Sequence, residues 1–159
     1  MAGARLQIEL DARPVLSALA ELAHRIDAPQ PAFREIGEYL DMAHRDRWDA
    51  QRAPDGSPWA PLSDVTKARK KKNADRVLVL DGYLRDTLRY QESATELLFG
   101  TDRVYGAVHQ FGARQGAFGT TARGGPIPWG DIQARPWLGI GSEDEQPILA
   151  ILERHLMRG

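Results

Sequence analysis

The chain has 159 residues, 42% of them hydrophobic and 27% charged, and its 21 basic and 22 acidic side chains leave a formal net charge of −1. This is the profile of a single globular domain over 1–159 with its own core, and so even a charge balance gives no global pull toward nucleic acid or an anionic membrane. The absence of cysteine excludes disulfides, thiolate metal sites and a cysteine nucleophile, and with no secretory-signal pattern and no apolar run near the ~18 residues of a membrane span, a cytoplasmic protein without a membrane partner is expected.

Residues 5–10, RLQIEL, alternate, with Leu6, Ile8 and Leu10 on one side, and predict a half-buried strand. Asp11 is a candidate cap and Pro14 suits a first turn, so a helix is expected over 14–27, with Val15, Leu16, Leu19, Leu22, Ala23 and Ile26 at helical spacing. Ala28-Pro29-Gln30-Pro31 ends it. Phe33, Ile36, Leu40, Ala43 and Trp48 form a second apolar stripe, which predicts a helix over 32–51. Residues 53–76 hold three prolines and a dense positive run, so a mobile segment is expected there, with a short helix from Ser63 or Asp64. Asp81 is expected to cap a short helix that buries Leu84 and Leu88. Residues 88–93 and 95–100 read as two strands around a tight turn. Asp102 is expected to cap a helical turn through VYGAVHQF, closed by Gly112 in the left-handed conformation. The Gly-rich stretch GARQGAFGTTARGGP, within a segment of about 113–130, predicts a long mobile loop or a flexible hairpin. Residues 134–140 read as a last strand, with Pro136 placing it at an edge or a bulge. A final helix over 144–157 follows, capped by Ser142 or Asp144, with Ile148, Ile151, Leu152 and Leu156 on its buried face. The fold class that results is α+β: a small, mainly antiparallel sheet from 5–10, 88–93, 95–100 and 134–140, packed by helices.

His109 sits in VYGAVHQFG, but no nucleophile or carboxylate stands at a spacing that would make it catalytic. It reads as a histidine near a helix C-terminus that bonds the last carbonyls, or as a contact residue. His24, His44 and His155 fall on separate predicted helices with no i, i+4 pair, so no metal site is expected. The Gly-rich stretch lacks the endings of a P-loop or a dinucleotide turn, so no cofactor is expected. Asp81, Asp86, Asp102 and Asp131 are scattered at turns and form no tight pair. Nothing in the chain predicts an enzyme. From Thr66 to Arg76 there are six basic residues and one acid, Asp75. Lys67, Arg69, Lys70, Lys71 and Lys72 are therefore candidate phosphate contacts, and a small nucleic-acid-binding protein is the alternative reading, with salt-sensitive, non-specific DNA contact. No aromatic residue is interleaved in that run for base stacking.

Four motifs stand in order: Gly56-Ser-Pro-Trp59-Ala-Pro-Leu62, Leu78-Val-Leu80-Asp-Gly82-Tyr-Leu84, Val104-Tyr105-Gly-Ala-Val-His109-Gln110-Phe111-Gly112, and Ala134-Arg135-Pro136-Trp137-Leu138-Gly139. Together they resemble the phage virion morphogenesis family, which includes tail-completion proteins of contractile-tailed phages and their Mu-like relatives. The similarity runs over roughly residues 6 to 157. One departure is Asp81, where the family pattern often has a hydroxyl residue. The resemblance implies a structural virion protein of the tail or neck, assembled in the host cytoplasm. It implies action at the head-proximal end of the tail, completing it or joining it to the head. It also implies a tail-terminator-like twisted sheet and a homo-oligomeric, hexameric ring whose partners are tail-tube, sheath or neck proteins, from a phage, a prophage or a tail-derived bacteriocin. Aromatic and arginine side chains serve interfaces well, so Trp59, Tyr105, His109, Phe111, Arg114, Phe118, Arg123, Trp129 and Trp137 are the candidate contact residues.

Overall fold

The longest helix organises the chain. The computed structural model describes residues 13–157, and within it α1 spans Arg13–Asp27 and α2 spans Gln30–Ala50. Pro31 lies in the first turn of α2, where its missing N–H costs nothing. Gln51 ends the helix in the left-handed conformation, φ 55° and ψ 43°, and its N–H returns to the carbonyls of Arg47 and Trp48. The apolar stripe of α2 is buried at Ala32, Ile36, Leu40 and Trp48, while Phe33 and Ala43 are half-buried. His44 and Arg47 lie on the same buried face.

Short elements follow. α3 is Asp64–Arg69, and the Ser63 side chain caps it by accepting from the Thr66 N–H at 3.2 Å. α4 is Tyr83–Asp86, β1 is Arg89–Glu92 and β2 is Leu97–Gly100. The two strands pair antiparallel, with Tyr90 opposite Phe99. α5 is Tyr105–Phe111 and α6 is Ser142–Met157. The architecture is a small α+β fold. Helix α2 packs against β1, β2 and α6. Gly37 permits the close approach to the sheet, because a Cβ there would stand 2.5 Å from ring carbons of Tyr90.

The core has two parts. One gathers Trp48, Ala53, Trp59, Val77, Val79, Leu84, Leu88 and Trp137. The other gathers Ala32, Ile36, Leu40 and Ile151 between α2 and α6. Half-buried Phe99 touches both. Trp48 stacks edge-on to Trp59, with ring centres 5.4 Å apart, and tilts against Trp137 at 5.5 Å. Truncating any one of three such rings to alanine costs about 3–5 kcal/mol.

Several expectations are revised. The strand at 5–10 and the Asp11 cap lie outside the described residues. Residues 134–140 are not a strand. Their backbone is held by side chains instead of a ladder: Gln110, Trp59, Arg47 and His44 all bond it. The sheet among the described residues therefore has two strands. Asp81 does not cap α4; it pairs with Lys72 at 2.6 Å, and Gly82 occupies the cap position with φ 87°. Asp102 does not cap α5 either, because it pairs with Arg89 at 2.9 Å. Helix α6 begins at Ser142. Asp144 sits in its first turn, and its carboxylate accepts the Gly141 N–H at 2.7 Å. The apolar stripe of α1 covers no core: every residue from 13 to 24 is exposed.

Candidate functional site

The sequence places most of its candidate contact residues between 105 and 137, and α5 is the mount for them. Gln110 carries the attachment. Its side-chain oxygen accepts the N–H groups of Trp137 and Leu138, both at 2.9 Å, and its amide nitrogen donates to the Leu138 carbonyl at 2.9 Å. The Trp137 indole N–H donates to the Gly106 carbonyl at 2.9 Å. Arg135 extends the attachment to the 59–62 segment, donating to the carbonyls of Ala60 at 2.8 Å and Pro61 at 3.1 Å. Burial pushes the Arg135 guanidinium below its usual range.

Gly112 then turns the chain. Its φ of 74° and ψ of 178° fall outside the left-handed helical region predicted for it, although φ is positive as expected. A Cβ would stand 2.7 Å from the Ile132 carbonyl oxygen, so glycine is required on both counts. Past it, residues 113–132 fold back as a hairpin. Ala113 and Ile132 exchange both backbone hydrogen bonds, at 2.9 and 2.7 Å. Asp131 accepts the Gln115 N–H at 2.7 Å, and the Gln115 side chain reaches the Trp129 carbonyl at 2.9 Å. Further out, Phe118 and Ile127 are joined at 2.8 Å, as are Thr121 and Gly125. The Ile127–Pro128 peptide bond is cis. The hairpin presents Phe118 and Trp129, 55% and 75% exposed, with exposed Arg114 and Arg123. Phe111 stands exposed at the base.

The candidates thus divide. Phe111, Arg114, Phe118, Arg123 and Trp129 form an exposed set, and Tyr105 is partly exposed beside it. Trp59 and Trp137 are corrected to core residues, 6% and 3% exposed, because the Trp48 cluster needs their area and both indole N–H groups bond carbonyls inside the protein. His109 meets Tyr105 edge-on at 6.1 Å. Its Nδ1 is buried with no protein partner, so the expected bond to a helix-end carbonyl is absent there. Burial, and then the charge of Arg135, lower its pKa, which favours the neutral ring. His109, Tyr105, Lys70 and the 78–84 segment line an open, mainly apolar cavity of about 320 Å³.

The basic run offers fewer free cations than its sequence. Lys70 donates to the carbonyls of Arg76 and Val79, both at 2.7 Å, and burial lowers its pKa. Lys72 pairs with Asp81, and Lys67 lies 3.8 Å from Asp64. Arg69 and Lys71 reach no acidic partner among the described residues. No group of three or more His, Asp or Glu among those residues could hold a metal, and no described helix is long and apolar enough to cross a membrane.

Sequence reasoning missed one constellation. Between α2 and α6 the Arg47 guanidinium pairs with Asp144 at 2.5 Å, both almost fully buried. Tyr39 donates its hydroxyl to the other Asp144 oxygen at 2.8 Å. Arg47 also donates to the Gly139 carbonyl at 3.3 Å. His44 bonds the Leu40 carbonyl through Nδ1 at 2.7 Å and accepts the Gly139 N–H on Nε2 at 3.3 Å, so it is neutral with its proton on Nδ1. Burial alone would raise the Asp144 pKa, but the bonds from Arg47, Gly141 and Tyr39 outweigh it and hold the carboxyl below the usual range. Burial, then the bond to Asp144, pushes Tyr39 up to about 12. Burial lowers His44. The signal was present: His44 and Arg47 fall on the apolar stripe that Ile36 and Leu40 begin, where a polar side chain needs a partner.

The geometry is a set of exposed aromatic and arginine side chains on a braced hairpin. The comparisons agree in character. The chain is 30% identical over 128 residues to tail completion protein S of Escherichia phage P2, covering 78% of this chain and 81% of that protein. It is 24% identical over 155 residues to a protein G of Escherichia phage Mu named for capsid assembly, covering 95% and 94%. No solved structure matches the chain. Residues 10–157 match the model of the phage virion morphogenesis family, and the chain belongs to that family.

Proposed function

We propose that the protein is a structural, non-enzymatic component that completes the head-proximal end of a phage tail or joins tail to head, as a ring of identical copies, six in number. Its partners are its own copies and tail-tube, sheath or neck proteins, and its place is the virion. Family membership supports the assembly role, and the name of the phage P2 relative supports the tail as its location. The observation that carries the reading is the hairpin. It exposes Phe118, Trp129, Arg114 and Arg123, and aromatic and arginine anchors supply much of the energy of interfaces. Its own hydrogen bonds hold that set in place before any partner arrives, which lowers the entropy cost of docking.

Deleting Gly116–Gly124 tests the reading. Loop closure depends weakly on length and Phe118 is the one large apolar residue removed, so the subunit is expected to fold with stability within about 1–2 kcal/mol of wild type. The same variant is expected to give no completed tails when it complements a phage lacking this protein. Full complementation by a folded deletion variant would reduce the hairpin to a connector and overturn the contact role.

A further inference from the structure

We propose that α1 is an exchanged arm, whose apolar stripe docks in the groove between α2, β2 and α6 of a second copy of this chain. The stripe comprises Val15, Leu16, Leu19, Leu22 and Ile26, exposed by 37–62%. It runs along a 15-residue helix with no buried residue. Five such side chains on one face make an apolar patch of the order of 500 Å², a size at which exposed patches mark interaction sites.

The same chain carries an unfilled apolar groove. Phe33, Ile36, Leu97, Phe99, Ile140 and Ile148 line it, and its volume is about 540 Å³. It has the size and lining of sites that take a ligand-sized apolar group. None of its lining comes from α1. An amphipathic helix presenting residues at i, i+3/i+4 and i+7 spacing is the natural occupant of such a groove.

Two features assign the occupant to a second copy. Helix α1 is held to its own body at its C-terminal end: Arg25 donates to the Leu156 carbonyl at 2.9 Å, and its own carbonyl meets His155 Nε2 at 3.1 Å. Residues 13–24 are all exposed. The connection to α2 is two residues, Ala28 and Pro29, the latter at φ −77°. To lay its stripe in its own groove, α1 would have to reverse over that hinge, and short stiff hinges favour exchange between protomers. The area agrees. Helix and groove together would bury about 1,000 Å² per contact, at the low end of specific interfaces, where several contacts around a closed assembly are needed. Arm and groove are different surfaces, so the contact is head-to-tail and propagates until a ring closes. The inference rests on the proposed ring for that closure, and it names the contact that builds it.

The absence of cysteine makes the test clean. Leu19→Cys and Ile140→Cys, both at exposed positions, are combined in the full chain and oxidised, with each single variant as control. Leu19→Glu is followed by sedimentation and thermal melting. The expected result is a ladder of disulfide-linked oligomers from the double variant and little from either single one. Association is expected to fall at least tenfold in Leu19→Glu at unchanged melting temperature. A cross-linked monomer would place the arm in its own groove and overturn the proposal. Equal dimer yield from Leu19→Cys alone would pair α1 with α1 and overturn it too. Association that survives Leu19→Glu, with no ladder, would sink the exchanged arm and leave the ring standing. A monomer at every concentration would sink both.

Discussion

The seam between α2 and α6 and the hairpin at 113–132 are both rich in polar groups, and they satisfy them in opposite ways. In the seam, Asp144 draws its partners from residues 39, 47 and 141, so one carboxylate ties together parts of the chain about a hundred residues apart. In the hairpin, each of the bonds described joins residues fewer than twenty positions apart, and the large side chains point outward. The first arrangement cannot change without disturbing the fold. The second can change with little effect on the rest of the subunit.

Three experiments would break or sharpen this contrast. The largest effect is expected at Asp144→Ala, which leaves Arg47 charged and buried. Chemical denaturation should show a loss of about 3–5 kcal/mol. A loss below about 1 kcal/mol would mean that the seam is no more essential than a surface pair. A smaller effect is expected from pH. Burial lowers the pKa of His44 and of His109 in the folded state. The unfolded chain then binds more protons near its own histidine pKa of about 6.5. Stability is therefore fully present above that value and declines as pH falls below it. Melting temperatures taken between pH 7.5 and 5.5 should fall, His109→Gln should flatten the slope, and the hairpin deletion should leave it in place. An equal slope in His109→Gln would remove that residue from the account. The smallest stability effect is expected at Trp129→Ala, within about 0.5 kcal/mol because the ring is mostly exposed. Tail completion should nevertheless be impaired in that variant. Wild-type complementation would move the contact to Phe118 and the arginines.

The legible parts of the fold were those written in one local pattern. The stripe of α2, the short helix beginning at Asp64, the β1–β2 pair and the positive φ of Gly112 follow from spacing and residue type alone. What was illegible depends on distant partners. Residues 134–140 have a strand-like composition, but nothing in them reveals that Gln110 would supply the bonds of a missing neighbour. Asp81 and Asp102 are good caps in isolation, yet Lys72 and Arg89 claim them. Trp59 and Trp137 lie among prolines and glycines, which reads as surface. Burying one against the other side of Trp48 is a tertiary event. Of the candidate contact residues, the exposure of the hairpin set was legible, because a Gly-rich stretch has few ways to bury Phe118 or Trp129.

The Gln110 clasp also sets how the subunit answers a mechanical load. A load applied at the hairpin tip, near Arg123, would tug both legs of the hairpin away from the body. The hairpin's own backbone pairs would open one after another from the tip, like a zipper. At the base, three bonds of Gln110 and two of Arg135 share the tension side by side. Such a fixture yields at its outer end first and leaves its footing intact, so a subunit loaded there would lose the shape of its hairpin before it lost its fold.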